Sequence, residues 1–257
     1  MYPHPTGGRH ELGQNFLTDR ATIAAICAAA GNGPGAIVEL GSGDGALTLP
    51  LSRLGRPITA VELDRRRADR LDRRTGEDVT VVHGDLLRHE LPRVPHTIVG
   101  NIPFHLTTAT LRRILGQSHW HTAVLVVQWE VARRRAGIGG ASQLTAAWWP
   151  WYDFEVLSRV PARAFRPVPS VDGGVLAITR RAEPLVRERA RYQDFVRQVF
   201  TGRGHGLGQI LPRTGRIGRA DAATWLRANG IRADALPKQL TAEHWASLWT
   251  VTALSRR

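Results

Sequence analysis

The chain has 257 residues, enough for one large domain or two unequal ones, with a core burying about three-quarters of the surface an unfolded chain exposes. Lys and Arg number 35 against 22 Asp and Glu, a formal net charge of +13, and Lys238 is the only lysine; the excess points to a polyanion, and arginine's planar fork favours nucleic acid over a small acidic substrate. The single cysteine, Cys27, excludes an intramolecular disulfide and a cysteine-rich metal site, and no run has the apolar length of a membrane span or signal peptide, so a cytoplasmic protein without metal is expected.

In chain order, a polar and apolar mix from His10 to Leu17 precedes a helix capped by Thr18, carrying Ile23, Ile26 and Cys27 and stopping at Gly31. Ile37-Val38-Glu39-Leu40 reads as a buried strand that runs into Gly41-Ser42-Gly43-Asp44-Gly45 and a helix from Ala46 to Leu54. Strand, glycine loop and helix form the first unit of a doubly wound sheet, with the ligand at the strand's carboxyl end. The G-x-G-x-G spacing is neither the dinucleotide fingerprint nor a P-loop; bare main chain and helix amides there suit a nucleotide-like ligand, and the alternative is a plain turn.

Strand Ile58 to Val61 ends at Glu62-Leu63-Asp64, where an acid is placed to accept hydrogen bonds from two ribose hydroxyls; the alternative is a surface carboxylate paired with Arg65 to Arg67. The run to Arg74 offers i,i+4 pairs, Arg65 with Asp69 and Asp69 with Arg73, and reads as a solvated helix face rather than an RNA site. Strand Val79 to Val82 leads to Asp85, suited to accept from an adenine amino group. Strand His96 to Gly100 delivers Asn101-Ile102-Pro103-Phe104. The Asn101 side-chain oxygen and Ile102 carbonyl suit the two protons of an exocyclic purine amine, Pro103 stiffens the carbonyl, and Phe104 offers a stacking face for an extruded base. A strand end turning at a proline is the plainer reading of those four residues alone; the polar group at each of four successive strand ends weighs against it.

Helix Thr107 to Leu115 and strand Ala123 to Val127 continue the alternation. Arg133-Arg134-Arg135 before Gly137 to Gly140 is either a phosphate-gripping lid or an exposed helix end. The tryptophans at 148, 149 and 151 are expected in a core, and 154–160 and 173–180 are expected to close the sheet. From Ala182 the period is helical, with a stripe of Tyr192, Phe195, Val196, Val199 and Phe200, then helices near 219–229 and 241–254 with Trp245 and Trp249 in the core. The expected domains are 1–181 and a helical 182–257.

These stretches together resemble the erythromycin-resistance ribosomal RNA adenine N6-methyltransferases and, more distantly, the housekeeping enzymes that dimethylate small-subunit rRNA. The resemblance rests on Gln14-Asn15-Phe16-Leu17, Val38 to Gly43, Val61 to Asp64, Gly84-Asp85, Asn101 to Phe104 and Phe165-Arg166-Pro167-Val168-Pro169-Ser170-Val171-Asp172, and covers nearly the whole chain. It implies an α/β fold: a Rossmann-like S-adenosylmethionine domain with a seven-stranded, mostly parallel sheet, then a smaller helical RNA-binding domain. It also implies methylation of an adenine in the peptidyl-transferase loop of 23S rRNA, before full ribosome assembly, by a monomer, which blocks macrolide, lincosamide and streptogramin B binding. Carried over, Asn15, Leu17 and Gly43 line the cofactor, Gly41 faces its methionine part, Glu62 its ribose and Asp85 its adenine. Asn101 also binds the cofactor, at the junction with the target, and belongs with Ile102, Pro103 and Phe104 to the catalytic stretch. Ile at 102 favours the resistance branch. Gly202 to Gly206 departs from the more basic pattern of relatives. The other readings are a small-subunit rRNA adenine dimethyltransferase and a non-catalytic RNA-binding assembly factor.

Overall fold

A computed structural model describes residues 15–254; Gln14 and the rest of the lead from His10 lie outside the described residues. The first half of the chain runs β1 (Phe16–Leu17), α1 (Arg20–Gly31), β2 (Ala36–Leu40), α2 (Thr48–Leu51), β3 (Ile58–Glu62), α3 (Arg65–Asp72), β4 (Val79–His83), β5 (His96–Asn101), α4 (Thr107–Leu115) and β6 (Trp120–Gln128). It continues through α5 (Trp129–Arg135), α6 (Gln143–Trp148), β7 (Tyr152–Val160), β8 (Phe165–Arg166) and β9 (Gly173–Arg180). Four helices end it: α7 (Arg189–Thr201), α8 (Leu207–Arg213), α9 (Arg219–Ala228) and α10 (Ala242–Leu254).

The seven-stranded sheet has the order β4-β3-β2-β5-β6-β9-β7. Its pairs from β4 through β6 are parallel, and β9 lies antiparallel on β6. Strands that are wholly apolar, such as Ala123 to Val127, are buried on both faces, as parallel strands under two helical layers must be. Chain order reverses between β2 and β5, so the crevice for a ligand opens beyond the carboxyl ends of those two strands. Gly41 and Asn101 stand there.

Two helix boundaries differ from expectation. The cap of α1 is Asp19, not Thr18: its carboxylate accepts the Thr22 amide at 2.8 Å and hydroxyl at 2.7 Å, and a charged acceptor suits the positive helix end better than a hydroxyl. Thr18 instead bonds the Ala164 carbonyl through its amide and hydroxyl. The helix expected over 46–54 is one α turn, Thr48–Leu51, followed by a 3-10 turn, because the glycine-loop turns run on through Leu47. β1, expected as irregular chain, pairs antiparallel with β8, Phe16 opposite Arg166 and Leu17 opposite Phe165.

The chain divides into two compact units, Met1–Ala132 with Val156–Thr179, and Arg133–Glu155 with Arg180–Arg257. The second re-enters close to the boundary expected at 181, and takes 133–155 as well. The reason is packing: the Tyr192 hydroxyl donates to the Ala146 carbonyl at 2.8 Å, and Trp151 meets the Tyr192 ring edge-on at 5.6 Å. Trp245, stacked on Phe200 at 5.7 Å, and Trp249, against Tyr192 and Phe195, form the middle of this unit's core with the expected stripe. Arg135 is buried, donating to the Ser142 hydroxyl, while Arg134 is exposed, so the basic run is neither a free lid nor simply an exposed helix end. Gly206 (φ 111°) explains part of the glycine-rich departure: a Cβ there would lie 2.5 Å from the Asp234 backbone.

Candidate active site

The glycine loop after β2 is held against β3 by its own amides. Gly41 and Ser42 both donate to the Val61 carbonyl, at 2.9 and 3.0 Å, and Gly43 donates to the Glu62 carboxylate at 2.7 Å. Gly43 needs its lack of a side chain: its φ is 57°, and a Cβ would sit 3.1 Å from the Phe16 ring. The result is a stretch of main chain open to a ligand on one side.

Beyond that loop lies a cleft of about 440 Å³, walled by Phe16, Leu17, Gly41, Ser42, Asn101 and the start of α2, a size suited to a small ligand. Asn15, Phe16, Gly41 and Asn101 to Phe104 line an adjoining pocket, so Phe16, Gly41 and Asn101 border both. Ser42 lines the cleft, and its buried hydroxyl has no hydrogen-bond partner among the described residues, an orphaned polar group beside the ligand space.

Asn101 is anchored through one end only. Its Nδ2 donates to the Asn15 carbonyl at 2.7 Å, which settles the amide's orientation and leaves Oδ1 as acceptor. The Ile102 amide donates to Val126 at 3.1 Å, while no hydrogen bond reaches its carbonyl among the described residues. Phe104, half-buried, meets Phe165 edge-on at 6.2 Å. Two acceptors and a ring thus stand at the end of β5.

Glu62 is nearly fully buried, so it is not the surface carboxylate of the alternative reading; its second oxygen accepts from the Asp64 amide at 2.8 Å. Asp85 stands at the tip of β4 and turns Oδ1 to the Leu87 amide at 2.8 Å. Both lie outside the walls of the two clefts. Glu39 lines the cleft and belongs to no expected site: it is buried in β2, takes the Thr48 hydroxyl at 2.6 Å, and burial pushes its carboxyl up to about 8, with Thr48 opposing and Glu62 adding to the rise. An acid inside an apolar strand was its signal.

α3 presents the largely solvated face expected of it, but its ion pairs are not the expected i,i+4 ones. The Arg65–Asp69 contact is a loose 4.0 Å, whereas Arg67 bonds Asp44 of the glycine loop at 2.5 Å, Arg70 approaches the same carboxylate at 3.7 Å, and Arg74 donates to the Asp44 carbonyl at 2.9 Å. The tighter contacts of this stripe are thus to the cofactor-type loop rather than within its own helix.

A doubly wound sheet with this loop at the reversal point and an Asn-Ile-Pro-Phe stretch on the neighbouring strand end defines a Rossmann-like methyltransferase. The chain belongs to the family described as ribosomal RNA adenine dimethylase, whose model matches residues 6–253. It is 53% identical over 248 residues to the mycinamicin-resistance protein MyrB of Micromonospora griseorubida, covering 95% of this chain and 78% of that protein. It is 52% identical to an rRNA adenine N-6-methyltransferase of Corynebacterium diphtheriae, over 81% of this chain and 83% of the relative. Among solved structures, the 23S rRNA methyltransferase ErmE superposes with a TM-score of 0.86 at 34% identity, covering 93% of this chain and all of that one.

Proposed function

We propose that this protein transfers a methyl group from S-adenosylmethionine to the N6 amino group of an adenine in the peptidyl-transferase loop of 23S rRNA, and so gives macrolide, lincosamide and streptogramin B resistance. The single observation that carries the reading is the tethered Asn101, with its Oδ1 and the Ile102 carbonyl left as acceptors at the cleft end. The 23S rRNA methyltransferase ErmE and the mycinamicin-resistance relative support the choice of substrate. The small-subunit alternative draws on weaker likeness, 34% identity to a ribosomal RNA small subunit methyltransferase A of Synechococcus.

S-adenosylmethionine, when bound, supplies an electrophilic methyl group on a sulfonium. The residues present fit it: open glycine main chain, Ser42 with its orphaned buried hydroxyl, and Phe16 and Leu17 of the lead line the cleft, Asn15 lines the adjoining pocket, and Gly43, Glu62 and Asp85 stand at the loop and the strand tips beside it. The amino lone pair of adenine is delocalised into its ring. Asn101 Oδ1 and the Ile102 carbonyl each accept one amino proton, which turns the remaining lone pair towards the cleft, and Phe104 holds the extruded base by stacking. Fixed orientation supplies the rate, and the proton leaves to water after transfer. No side chain is asked to act as a strong base.

The test is expression in a macrolide-sensitive bacterium, with resistance and primer-extension stops on 23S rRNA as readouts. Asn101→Ala is expected to abolish both while purified protein keeps most of its cofactor affinity by calorimetry. Full resistance with Asn101→Ala overturns the assigned role, and stops only on small-subunit rRNA favour the alternative substrate.

A further inference from the structure

Among the arginines of α3, Arg67 is the half-buried one, while Arg65, Arg66 and Arg70 are exposed. Its guanidinium lies 4.3 Å from the centroid of the Phe16 ring, bonds Asp44 at 2.5 Å, and approaches Asp64 at 3.7 Å. One planar cation therefore ties together three pieces of chain: the N-terminal lead, the glycine loop and the start of its own helix. The Phe16 ring meets that cation and also lies close to Gly43, where a Cβ would come within 3.1 Å of it. The residue before it, Asn15, offers the carbonyl that orients Asn101.

We infer that Arg67 is a positioning residue for methyl transfer, acting through Phe16 and the Asn15 carbonyl to hold the Asn101 amide in its accepting orientation. The inference rests on the proposed function above. Phe16 borders both the cofactor-sized cleft and the pocket at Ile102 and Phe104, so a ring released from Gly43 disturbs both at once. Without the cation the lead keeps its two-residue pairing with β8, the Thr18 bonds to Ala164 and the buried Leu17, but the Phe16 ring loses its cation and the Asn15 carbonyl beside it is less firmly placed. An ammonium at 67 retains attraction for the ring and for Asp44 but lacks the planar fork.

The experiment is a double-mutant cycle on the full chain, with kcat and KM measured with S-adenosylmethionine and protein-free 23S rRNA. Arg67→Gln and Phe16→Leu are each expected to lower kcat about three- to tenfold, the size of a partly exposed cation–π contact plus an ion pair. The two losses do not multiply in the double variant, Arg67→Lys recovers most of kcat, and unfolding midpoints stay close to wild type. Arg65→Ala, on the same helix but turned to solvent, is the control expected to match wild type. Wild-type kcat in Arg67→Gln, or losses that multiply in the double variant, overturn the inference. A wild-type protein that incorporates no methyl group strikes instead at the proposed function.

Discussion

Glu39 is a residue whose chemistry departs far from its ordinary range. A carboxyl buried in a parallel strand, with one hydroxyl donor and a second carboxylate on the next strand, resists ionisation, and its titration moves up to about 8. The folded chain then holds a proton that the unfolded chain releases above the usual carboxylate value of 4.5. Between about pH 4.5 and 8 the folded state binds more protons, so this group's contribution to stability is fully present below that window and is lost as pH rises through it. Wild-type stability in urea is therefore expected to fall relative to Glu39→Gln from pH 5.5 to 8.5, since glutamine keeps the shape without titrating. Parallel pH profiles for the two proteins would show that Glu39 ionises normally in the fold.

At the scale of elements, the legible features were those whose cause lies within a few residues. The loop Gly41 to Gly45 was legible because backbones at positive φ demand glycine, and the alternation of strands and helices because buried strands are apolar throughout. The pairing of β1 with β8 was not, since it joins two-residue strands about 150 positions apart and leaves no period to read. The solvated face of α3 was legible, but its pairing was not, for the same reason: the best acceptor, Asp44, lies 23 residues before Arg67, and local i,i+4 arithmetic has no access to it. At the site, Asn101 to Phe104 were visible as a motif, but the tether from Asn101 to the Asn15 carbonyl spans 86 positions and needed the fold. The loop itself gives a sharp test. Gly43→Ala puts a methyl group 3.1 Å from Phe16 on a left-handed backbone, and is expected to cost about 1–3 kcal/mol in urea unfolding and to weaken cofactor binding by calorimetry. An unchanged midpoint would mean that the loop and ring shift together at little cost.

For the whole molecule the charge cannot be hidden by internal pairing. Ion pairs such as Arg216 with Asp194 and Arg159 with Asp172 use up acids one for one, and with 35 basic against 22 acidic residues a net +13 remains however they are arranged. In the second unit Arg203, Arg213, Arg219, Arg227 and Lys238 are exposed cations. A polyanion meeting such cations sheds its condensed counterions, and affinity then falls linearly in the logarithm of salt concentration. If about six phosphates are neutralised, raising salt from 50 to 200 mM is expected to weaken binding of a 23S rRNA fragment by roughly two to three orders of magnitude, read by filter binding. Replacing Arg203 and Arg219 by glutamine should flatten that slope by about the phosphates they engage while leaving S-adenosylmethionine affinity alone, since both sit in the unit without the glycine loop. A salt response under threefold would mean that the excess charge serves something other than RNA backbone contact.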